Sequence, residues 1–351
     1  MDTTGKSTWQ QAAGDTDRDY GDLCLKWDVI LNGPGYAGPW PDCVKRLGED
    51  GWSARKLTIL KRFCEQAKDG DLVVLRRGTS TVLAVGRIVG PYLWRDEFGD
   101  VDGWDLQHVR RVRWLWKHGG KPKEFPIYTL KQGDTTQRLN PGPVLDWLQS
   151  LQISEADLGR PLTDLPASSE PLKTALDDIS EYLFDHGVAS GSIAKLLDDI
   201  GELVRIAKWY QRSSKPSEGE TVAYLVVPLL RALGWTPQRM AIEWNHVDLA
   251  LFGSLPRQDD SLMVVVEAKK MDSSCLTAVS QAMSYASGKG TCRRLIVTDG
   301  LRYGVYTRQG SEEFGLYAYM NLTWLRREYP IYPCRGAREA LLAMAPEWEV
   351  P

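Results

Sequence analysis

The chain of 351 residues lacks the features that would place it in or across a membrane. No run approaches the roughly 18 consecutive apolar residues that a membrane-spanning helix needs. The first 22 residues are polar and lack the apolar core of a secretory signal. These absences predict a cytoplasmic protein with no membrane partner.

The cysteines and histidines lack the spacing of a metal or redox motif. The six cysteines lie at positions 24, 43, 64, 275, 292 and 334, and no pair has the two-residue spacing of a zinc knuckle. His118, His186 and His246 add no metal-ligand spacing to them. We therefore expect reduced, structural cysteines and no zinc site.

Two further absences restrict the function. The chain has no Walker phosphate loop and no helicase motor, so we predict no nucleotide cofactor and no translocation along DNA. The formal net charge is -3, which gives no global attraction to nucleic acid. Any binding of DNA must come from local basic patches.

The length suits two domains and a connector. Residues 20–150 predict a mixed, β-rich domain, with strands within 71–90 and 109–116 and a helix before them that ends at Gly70. Residues 151–214 predict a linker followed by a helical hairpin, which could be a spacer or a dimerisation surface. Residues 215–335 predict an α/β domain.

The α/β domain begins with a helix that stops near Gly234 and that Pro228 should bend or split. Strands follow at about 240–244, 247–252 and 262–267. A helix with Leu276, Val279, Met283 and Ala286 at helical spacing comes next, and the strands RLIVTDG and GVYTR follow it. The overall prediction is an α/β fold class.

Three polar residues stand at the ends of two of these strands. Asp248 opens one strand and Glu267 closes the next. Residues two apart on a strand face the same side, so Glu267 and Lys269 should project together. Two carboxylates and an amine could then share a cleft, and hard oxygen ligands of this kind suit Mg²⁺. The pattern predicts metal-assisted phosphodiester hydrolysis.

This pattern resembles the PD-(D/E)xK nuclease superfamily, with Asp248 followed by Glu267-Ala268-Lys269. Residues 220–307 resemble the nuclease domain of type I restriction motor subunits, on PLLRALGW, EAKK and the strand ending in TDG. The resemblance implies a restriction-endonuclease-like domain that uses Mg²⁺ or Mn²⁺. Its implied site residues are the metal ligands Asp248 and Glu267, the catalytic Lys269, the flanking Gln281 and Tyr285, and the accessory metal-site acid Glu220.

Simpler roles remain open for some of these residues. Glu220 could complement a helix dipole. Gln281 and Tyr285 could be capping or packing groups. Glu243, beside Trp244 on a short strand, is interpreted as structural.

Residues 22–135 resemble EVE-like domains of the PUA superfamily, which includes readers of modified bases, on WDVILNGPGYAGPW, GDLVVLRRGTSTVLAVGRIVGPYLW and GWDLQHVRRVRWLW. Reading a modified base requires flipping it into an aromatic pocket. The candidate pocket residues are Tyr36, Trp40, Trp52, Tyr92, Trp94, Trp104, Asp105 and His108. The candidate phosphate contacts are Arg110, Arg111, Arg113 and Lys117, with Lys121 and Lys123 nearby. Most of the aromatics could instead be core, as Trp114 and Trp116 look to be.

The two resemblances together predict a modification-dependent, type IV-like restriction endonuclease. It would recognise a modified base, with modified cytosine favoured, in double-stranded DNA and cut nearby. Two strands need two active sites, so a homodimer or DNA-induced pairing is expected. One alternative is a nuclease of RNA or unmodified DNA whose first domain binds RNA or protein. Another is a binder with a degenerate nuclease fold.

Overall fold

The computed structural model describes residues 5–14, 18–152, 159–168 and 171–349. The protein is a mixed α/β structure with two β-rich sheets and several helices. The chain divides into two units, Met1–Ala167 and Ser168–Pro351. Within the described residues, no helix is long and apolar enough to cross a membrane.

The first unit is built on one sheet of seven strands, of which only β1 and β3 pair in parallel. The order of the path is β2-β5-β4-β3-β1-β7, and β6 pairs with β4. The strands are β1 (Thr8–Ala12), β2 (Val29–Asn32), β3 (Leu72–Arg77), β4 (Thr81–Trp94), β5 (His108–Lys117), β6 (Lys123–Glu124) and β7 (Thr136–Arg138).

Side chains join the two ends of this strand path. Gln11 on β1 is fully buried, and its Nε2 donates to the carbonyl of Leu31 on β2 at 2.8 Å. Thr136 on β7 donates its hydroxyl to Gln11 Oε1 at 2.7 Å and accepts from Asn32 Nδ2 at 3.1 Å. The sheet therefore curls until β2 lies beside β1 and β7, with the buried polar groups satisfied by one another.

Within the described residues of the first unit, four α-helices accompany the sheet. They are α1 (Gly21–Trp27), α2 (Cys43–Glu49), α3 (Ala54–Lys61) and α4 (Pro143–Ser150). Ser53 begins α3, and its hydroxyl accepts a hydrogen bond from the Lys56 amide. A π-helical turn, Arg62–Gln66, continues α3 and buries Phe63 and Cys64.

The described part of the predicted linker is anchored to the first unit. Arg160 pairs with the buried Asp28 at 2.7 Å, and the Thr163 amide donates to the same carboxylate at 2.9 Å. Arg95 donates to the carbonyl of Pro166 at 2.7 Å. Residues 159–166 therefore form part of the first unit's surface. The remainder of the predicted linker, 153–158 and 169–170, lies outside the described residues.

The second unit is built on a sheet of eight strands, in the order β14-β15-β13-β12-β11-β10-β9-β8. Two neighbouring pairs are parallel, β10 with β11 and β13 with β15. The strands are β8 (Met240–Trp244), β9 (Val247–Phe252), β10 (Leu262–Ala268), β11 (Arg294–Thr298), β12 (Arg302–Arg308), β13 (Phe314–Asn321), β14 (Glu328–Tyr329) and β15 (Cys334–Arg335).

Helices cover both faces of this sheet. The helices are α5 (Leu176–Asp185), α6 (Ser190–Arg212), α7 (Glu218–Thr221), α8 (Val227–Ala232), α9 (Val279–Ala286) and α10 (Ala337–Met344). Val264 and Val266 of β10 face a core shared with α5, α6, α8 and α10, whereas Val265 faces a core shared with α9. The predicted helical hairpin, α5 and α6, is thus packed into the core of the second unit.

The helix predicted to be bent or split at Pro228 contains a π-helical turn just before that residue. A π-helical turn, Val222–Val226, connects α7 to α8, and Pro228 lies in the first turn of α8. Proline has no amide hydrogen and cannot continue the α-helical hydrogen-bond ladder, and the π-helical turn lies immediately before it in an otherwise continuous helix. The strands predicted at 240–244 and 247–252 are confirmed at those bounds, and β10 extends one residue beyond its prediction.

Candidate active site and base-recognition surface

Strand register brings Asp248 opposite Glu267. Leu249 of β9 pairs with Val266 of β10 in an antiparallel ladder, so the next pair along is Asp248 with Glu267. Beyond β10, the Lys269 amide donates to the carbonyl of Thr298 at 2.7 Å, which extends the pairing with β11. All three side chains therefore lie at one end of the central strands.

Short hydrogen bonds hold the three residues together. Lys269 Nζ lies 2.7 Å from Glu267 Oε1, which confirms that these two side chains project to the same side. Asp248 Oδ2 accepts the Ala268 amide at 2.8 Å. Glu267 is 1% exposed, and its second oxygen, Oε2, has no hydrogen-bond partner. A buried carboxylate oxygen left open in this way is costly unless a further group binds it.

Burial and neighbouring charges shift the pKa values of Glu267 and Lys269. Burial raises the pKa of Glu267, the hydrogen bond from Lys269 lowers it, and the charges of Asp248 and Glu218 raise it further, for a net pKa above normal. Burial also acts against the charged form of Lys269. The hydrogen bond and charge of Glu267, with the charges of Glu218 and Asp248, outweigh burial and raise the pKa of Lys269. Lys269 is therefore a stable cation.

The acid of α7 that faces this site is Glu218, two residues before the predicted Glu220. Glu220 caps the start of the helix. Its Oε2 accepts a hydrogen bond from the Ser217 amide at 2.8 Å, and the Ser217 hydroxyl accepts one from the Glu220 amide at 3.2 Å. This reciprocal pair is a capping box. The placement supports the capping role left open for Glu220, and the Ser-x-x-Glu spacing before an apolar run was the available signal.

Gln281 and Tyr285 extend the site along α9. Lys269 Nζ donates to Gln281 Oε1 at 3.0 Å, and Gln281 Nε2 donates to the Tyr285 hydroxyl at 3.1 Å. Since the two residues are four apart on one helix, they share a face. Lys269 is thereby held between a buried carboxylate and a helix-borne amide. Glu243 is exposed, and its backbone lies in the left-handed region with φ of 55°.

The donor set fits a hard divalent cation with few protein ligands. Among the residues that the structure describes, no group of three or more His, Cys, Asp or Glu is gathered to hold a metal. Mg²⁺ commonly takes one or two carboxylates and completes its shell with water and phosphate oxygens. Asp248 and the open Oε2 of Glu267 supply such a pair, with Glu218 as a nearby negative charge.

Four of the predicted pocket residues form one cluster in the first unit. The Tyr92 hydroxyl lies 2.8 Å from His108 Nδ1 and accepts the Trp40 amide at 3.2 Å. The Trp94 ring meets His108 edge-on at 5.2 Å. His108 is fully buried, and its Nε2 lies 3.0 Å from the Pro34 carbonyl. Its ring nitrogens are thus engaged within the protein, and it supports the cluster without facing a ligand.

The other predicted pocket residues fall into two places. Tyr36 is 45% exposed, and its backbone amide donates to Asp105. Burial and the carboxylate of Asp50 raise the pKa of Tyr36, and a hydrogen bond with Trp52 acts in the opposite direction, so Tyr36 and Trp52 also lie together. The Trp104 ring meets the Tyr20 ring edge-to-face at 5.0 Å, and the guanidinium of Arg18 lies over the Trp104 ring at 4.7 Å. Trp104 is therefore a packing residue.

Gln107 is a polar candidate that sequence reasoning missed. It is 4% exposed, and its Oε1 has no hydrogen-bond partner. Its amide packs so closely on Gly35 that a Cβ there would lie 1.7 Å from Oε1. Gly35 precedes the exposed Tyr36, so the acceptor of Gln107 packs against the loop that carries the exposed aromatic. The only sequence signal was the glycine pair in NGPGY.

The predicted phosphate contacts do not form one surface. Side chains alternate along β5, so Arg110 faces inward while Arg111 and Arg113 face the other side. Arg110 is 3% exposed and donates to the carbonyls of Ala67 and Gly90, which leaves it unavailable to phosphate. Arg111 donates to the Thr163 carbonyl. Lys117 is exposed at the strand end, and burial still lowers its pKa.

A family model described as a domain of unknown function, DUF8426, matches residues 12–138. Neither a curated protein nor a solved structure matches the chain. The match covers most of the described first unit, including Tyr92, Gln107 and His108, and does not extend to the second unit.

Proposed function

We propose that the protein is a modification-dependent restriction endonuclease of the type IV kind, acting in the cytoplasm on double-stranded DNA. The second unit would be a PD-(D/E)xK nuclease domain. The first unit would be an EVE-like reader of the PUA superfamily that binds a flipped, modified base, with modified cytosine favoured.

The observation that carries the nuclease proposal is the open Oε2 of buried Glu267, opposite Asp248 and bonded through Oε1 to Lys269 at 2.7 Å. In a purely structural ion pair both oxygens of a buried carboxylate are usually hydrogen-bonded, and here the open oxygen lies next to a second carboxylate, Asp248. The arrangement instead matches a site whose remaining ligand is a cation.

Each residue of the site would have a separate role. Asp248 and Glu267 would hold Mg²⁺ or Mn²⁺, and the chemistry that such an ion supplies is activation of a water molecule and neutralisation of phosphate charge. Lys269, kept cationic by Glu267, would orient the attacking water or stabilise the charge that develops on the phosphate. Gln281 would hold the ammonium in place from α9, and Tyr285 would hold Gln281.

The reader proposal rests on the loop around Gly35. Tyr36 offers exposed aromatic surface for stacking, with the half-buried Trp52 beside it, and Gln107 Oε1 offers an acceptor for a base amino group. Cytosine carries such a donor at N4. Trp40, Tyr92, Trp94 and His108 would support this loop from beneath.

The test is cleavage of matched duplexes that carry cytosine, 5-methylcytosine, 5-hydroxymethylcytosine or its glucosylated form, with Mg²⁺ or Mn²⁺. Lys269→Ala should abolish cutting, and the exposed neighbour variant Lys270→Ala should retain it. Cutting of one modified duplex alone supports both units' roles. Equal cutting of all duplexes keeps the nuclease and rejects the reader.

If no duplex is cut, structured RNA and Mn²⁺ binding decide between the remaining possibilities. Cutting of RNA that depends on Lys269 favours a nuclease with an RNA-binding first unit. Absence of both RNA cutting and Mn²⁺ binding favours a nucleic-acid binder with a degenerate nuclease fold.

A further inference from the structure

The second unit contains a cavity of about 590 Å³ that the proposed nuclease chemistry does not use. It lies where the ends of β12 and β13 meet β15 and the first turn of α10, several strands away from β9 and β10 in the sheet order. Cavities of roughly 300–1,000 Å³ are typical of small-molecule sites.

Three arginines and two glutamates line this cavity. Arg327 pairs with Asp178 and Glu328 accepts from Ser168, so Arg335 and Arg338 are the guanidinium groups considered for a ligand. Arg335 is exposed, and its Nη1 donates to the Tyr317 hydroxyl at 2.9 Å while the guanidinium lies over the Tyr317 ring at 5.0 Å. Arg338 lies over the ring of Tyr182 at 4.9 Å, and its Nε is buried without a partner. Fixed guanidinium groups with unused donors favour planar or tetrahedral oxyanions.

The buried carboxylate of Glu339 lies beside Arg338. Glu339 is 8% exposed, its Oε1 accepts from Arg338 at 3.2 Å, and its Oε2 is buried without a partner. If Glu339 served only to neutralise Arg338, the second oxygen would be expected to meet water or another donor. The open oxygen can therefore accept a hydrogen bond from an N–H or O–H donor of a bound molecule.

The cavity also has apolar walls. Leu316, Pro330 and the Tyr317 ring line the same cavity as the charged groups. A bare phosphate would satisfy the arginines and leave these walls and the Glu339 acceptor unused. A ligand that meets all three requirements carries an oxyanion, a flat apolar body and a hydrogen-bond donor.

We infer that this cavity binds a nucleoside phosphate, with the phosphate on Arg335 and Arg338, the base against Tyr317 and Leu316, and a base or sugar donor on Glu339 Oε2. The inference goes beyond the proposed nuclease and shares none of its site residues. The chain lacks a Walker loop, so the ligand would not drive a motor.

The test uses the full chain carrying Lys269→Ala, so that binding is measured without nuclease activity. Isothermal titration with the four common ribonucleoside and deoxyribonucleoside monophosphates, and with inorganic phosphate, gives the dissociation constants. At least one nucleoside phosphate should bind more tightly than inorganic phosphate. Arg335→Gln should weaken both by about tenfold, as loss of a charge-assisted hydrogen bond implies.

Glu339→Gln provides the sharper readout because its two effects have opposite signs. Removing the carboxylate charge weakens the bond to the nucleoside donor but relieves repulsion of an anion. Nucleoside phosphate should therefore bind less tightly and inorganic phosphate more tightly. The control Arg293→Gln, an exposed arginine beside β11, should bind both as the parent does.

Three results would overturn the inference. One is the absence of binding of every nucleoside phosphate at millimolar concentration to a folded protein. The second is binding that Arg335→Gln and Glu339→Gln leave unchanged. The third is tighter binding of dicarboxylates or amino acids than of any nucleoside phosphate. None of these results bears on cleavage by the parent chain, so the nuclease proposal is judged separately.

Discussion

At the residue scale, Glu218 and Glu220 have different surroundings although they share one short helix. The charge of Glu218 raises the pKa values of both Glu267 and Lys269, whereas Glu220 closes the capping box with Ser217. We expect Glu218→Gln to weaken Mn²⁺ binding by about 10- to 100-fold, as is usual for groups next to metal ligands. Titration calorimetry and the Mn²⁺ dependence of cleavage measure the effect.

Glu220→Gln is the matched control for that experiment. It removes the same charge two residues away, at a side chain whose oxygen is committed to the Ser217 amide. Its Mn²⁺ affinity should equal that of the parent, with only a small loss of thermal stability. If Glu220→Gln lost more Mn²⁺ affinity than Glu218→Gln, the assignment of Glu218 to the site would be wrong.

His108 makes the stability of the first unit dependent on pH. Burial lowers the pKa of His108 from 6.5 to about 4, although the Pro34 carbonyl acts in the opposite direction. Below pH 6.5 the unfolded chain takes up a proton that the folded chain refuses, so stability is lost as the pH falls from about 6.5 towards 4. The loss at the lower end is about 3 kcal/mol.

Urea unfolding between pH 7.5 and 4.5 measures this dependence. His108→Gln should have a lower free energy of unfolding at neutral pH, because ring packing is lost, but a smaller decrease on acidification. The exposed His246→Asn should keep the decrease of the parent. An identical decrease in parent and His108→Gln would show that His108 is not the responsible group.

At the scale of the elements, Gln11 determines how the first sheet is joined. Its amide bonds to Leu31 on β2 and Thr136 on β7 while its backbone belongs to β1. Gln11→Leu preserves volume but leaves buried polar partners unsatisfied, at about 1–3 kcal/mol for each. We expect a loss of about 2–4 kcal/mol in the free energy of unfolding, measured by urea denaturation, against little change for the exposed Gln132→Leu. A similar loss in both variants would refute the joining role.

The interrupted helix of the second unit shows how an element positions the site. Pro228 in the first turn of α8 follows a π-helical turn, and α7 with Glu218 lies immediately before that turn. A π-helical turn contains an extra residue relative to an α-helical one, so side chains before it are rotated relative to those after it. Glu218 and Glu220 both precede that turn, and Glu220 was assigned from the family resemblance, which carries no information on the capping box that engages Glu220 with Ser217.

At the scale of the whole molecule, one chain offers one cluster of Asp248, Glu267 and Lys269, so cutting both strands at once needs two chains. Excess Lys269→Ala mixed with parent protein should convert double-strand breaks into nicks, because mixed pairs hold a single competent site. Gel analysis of a supercoiled substrate separates the two products. A monomer that makes paired cuts in a single turnover would contradict this expectation.

Periodicity along the chain was enough to predict β8, β9 and the joint projection of Glu267 and Lys269, since neighbours in sequence share a strand and alternate predictably. It did not predict the burial of Arg110, the open acceptor of Gln107 or the anchoring of residues 159–166. Each of these depends on which distant segment packs against the residue. Local pattern specifies which residues share a face of a strand, whereas contacts between distant segments specify whether that face meets solvent, a carbonyl or a neighbouring charge.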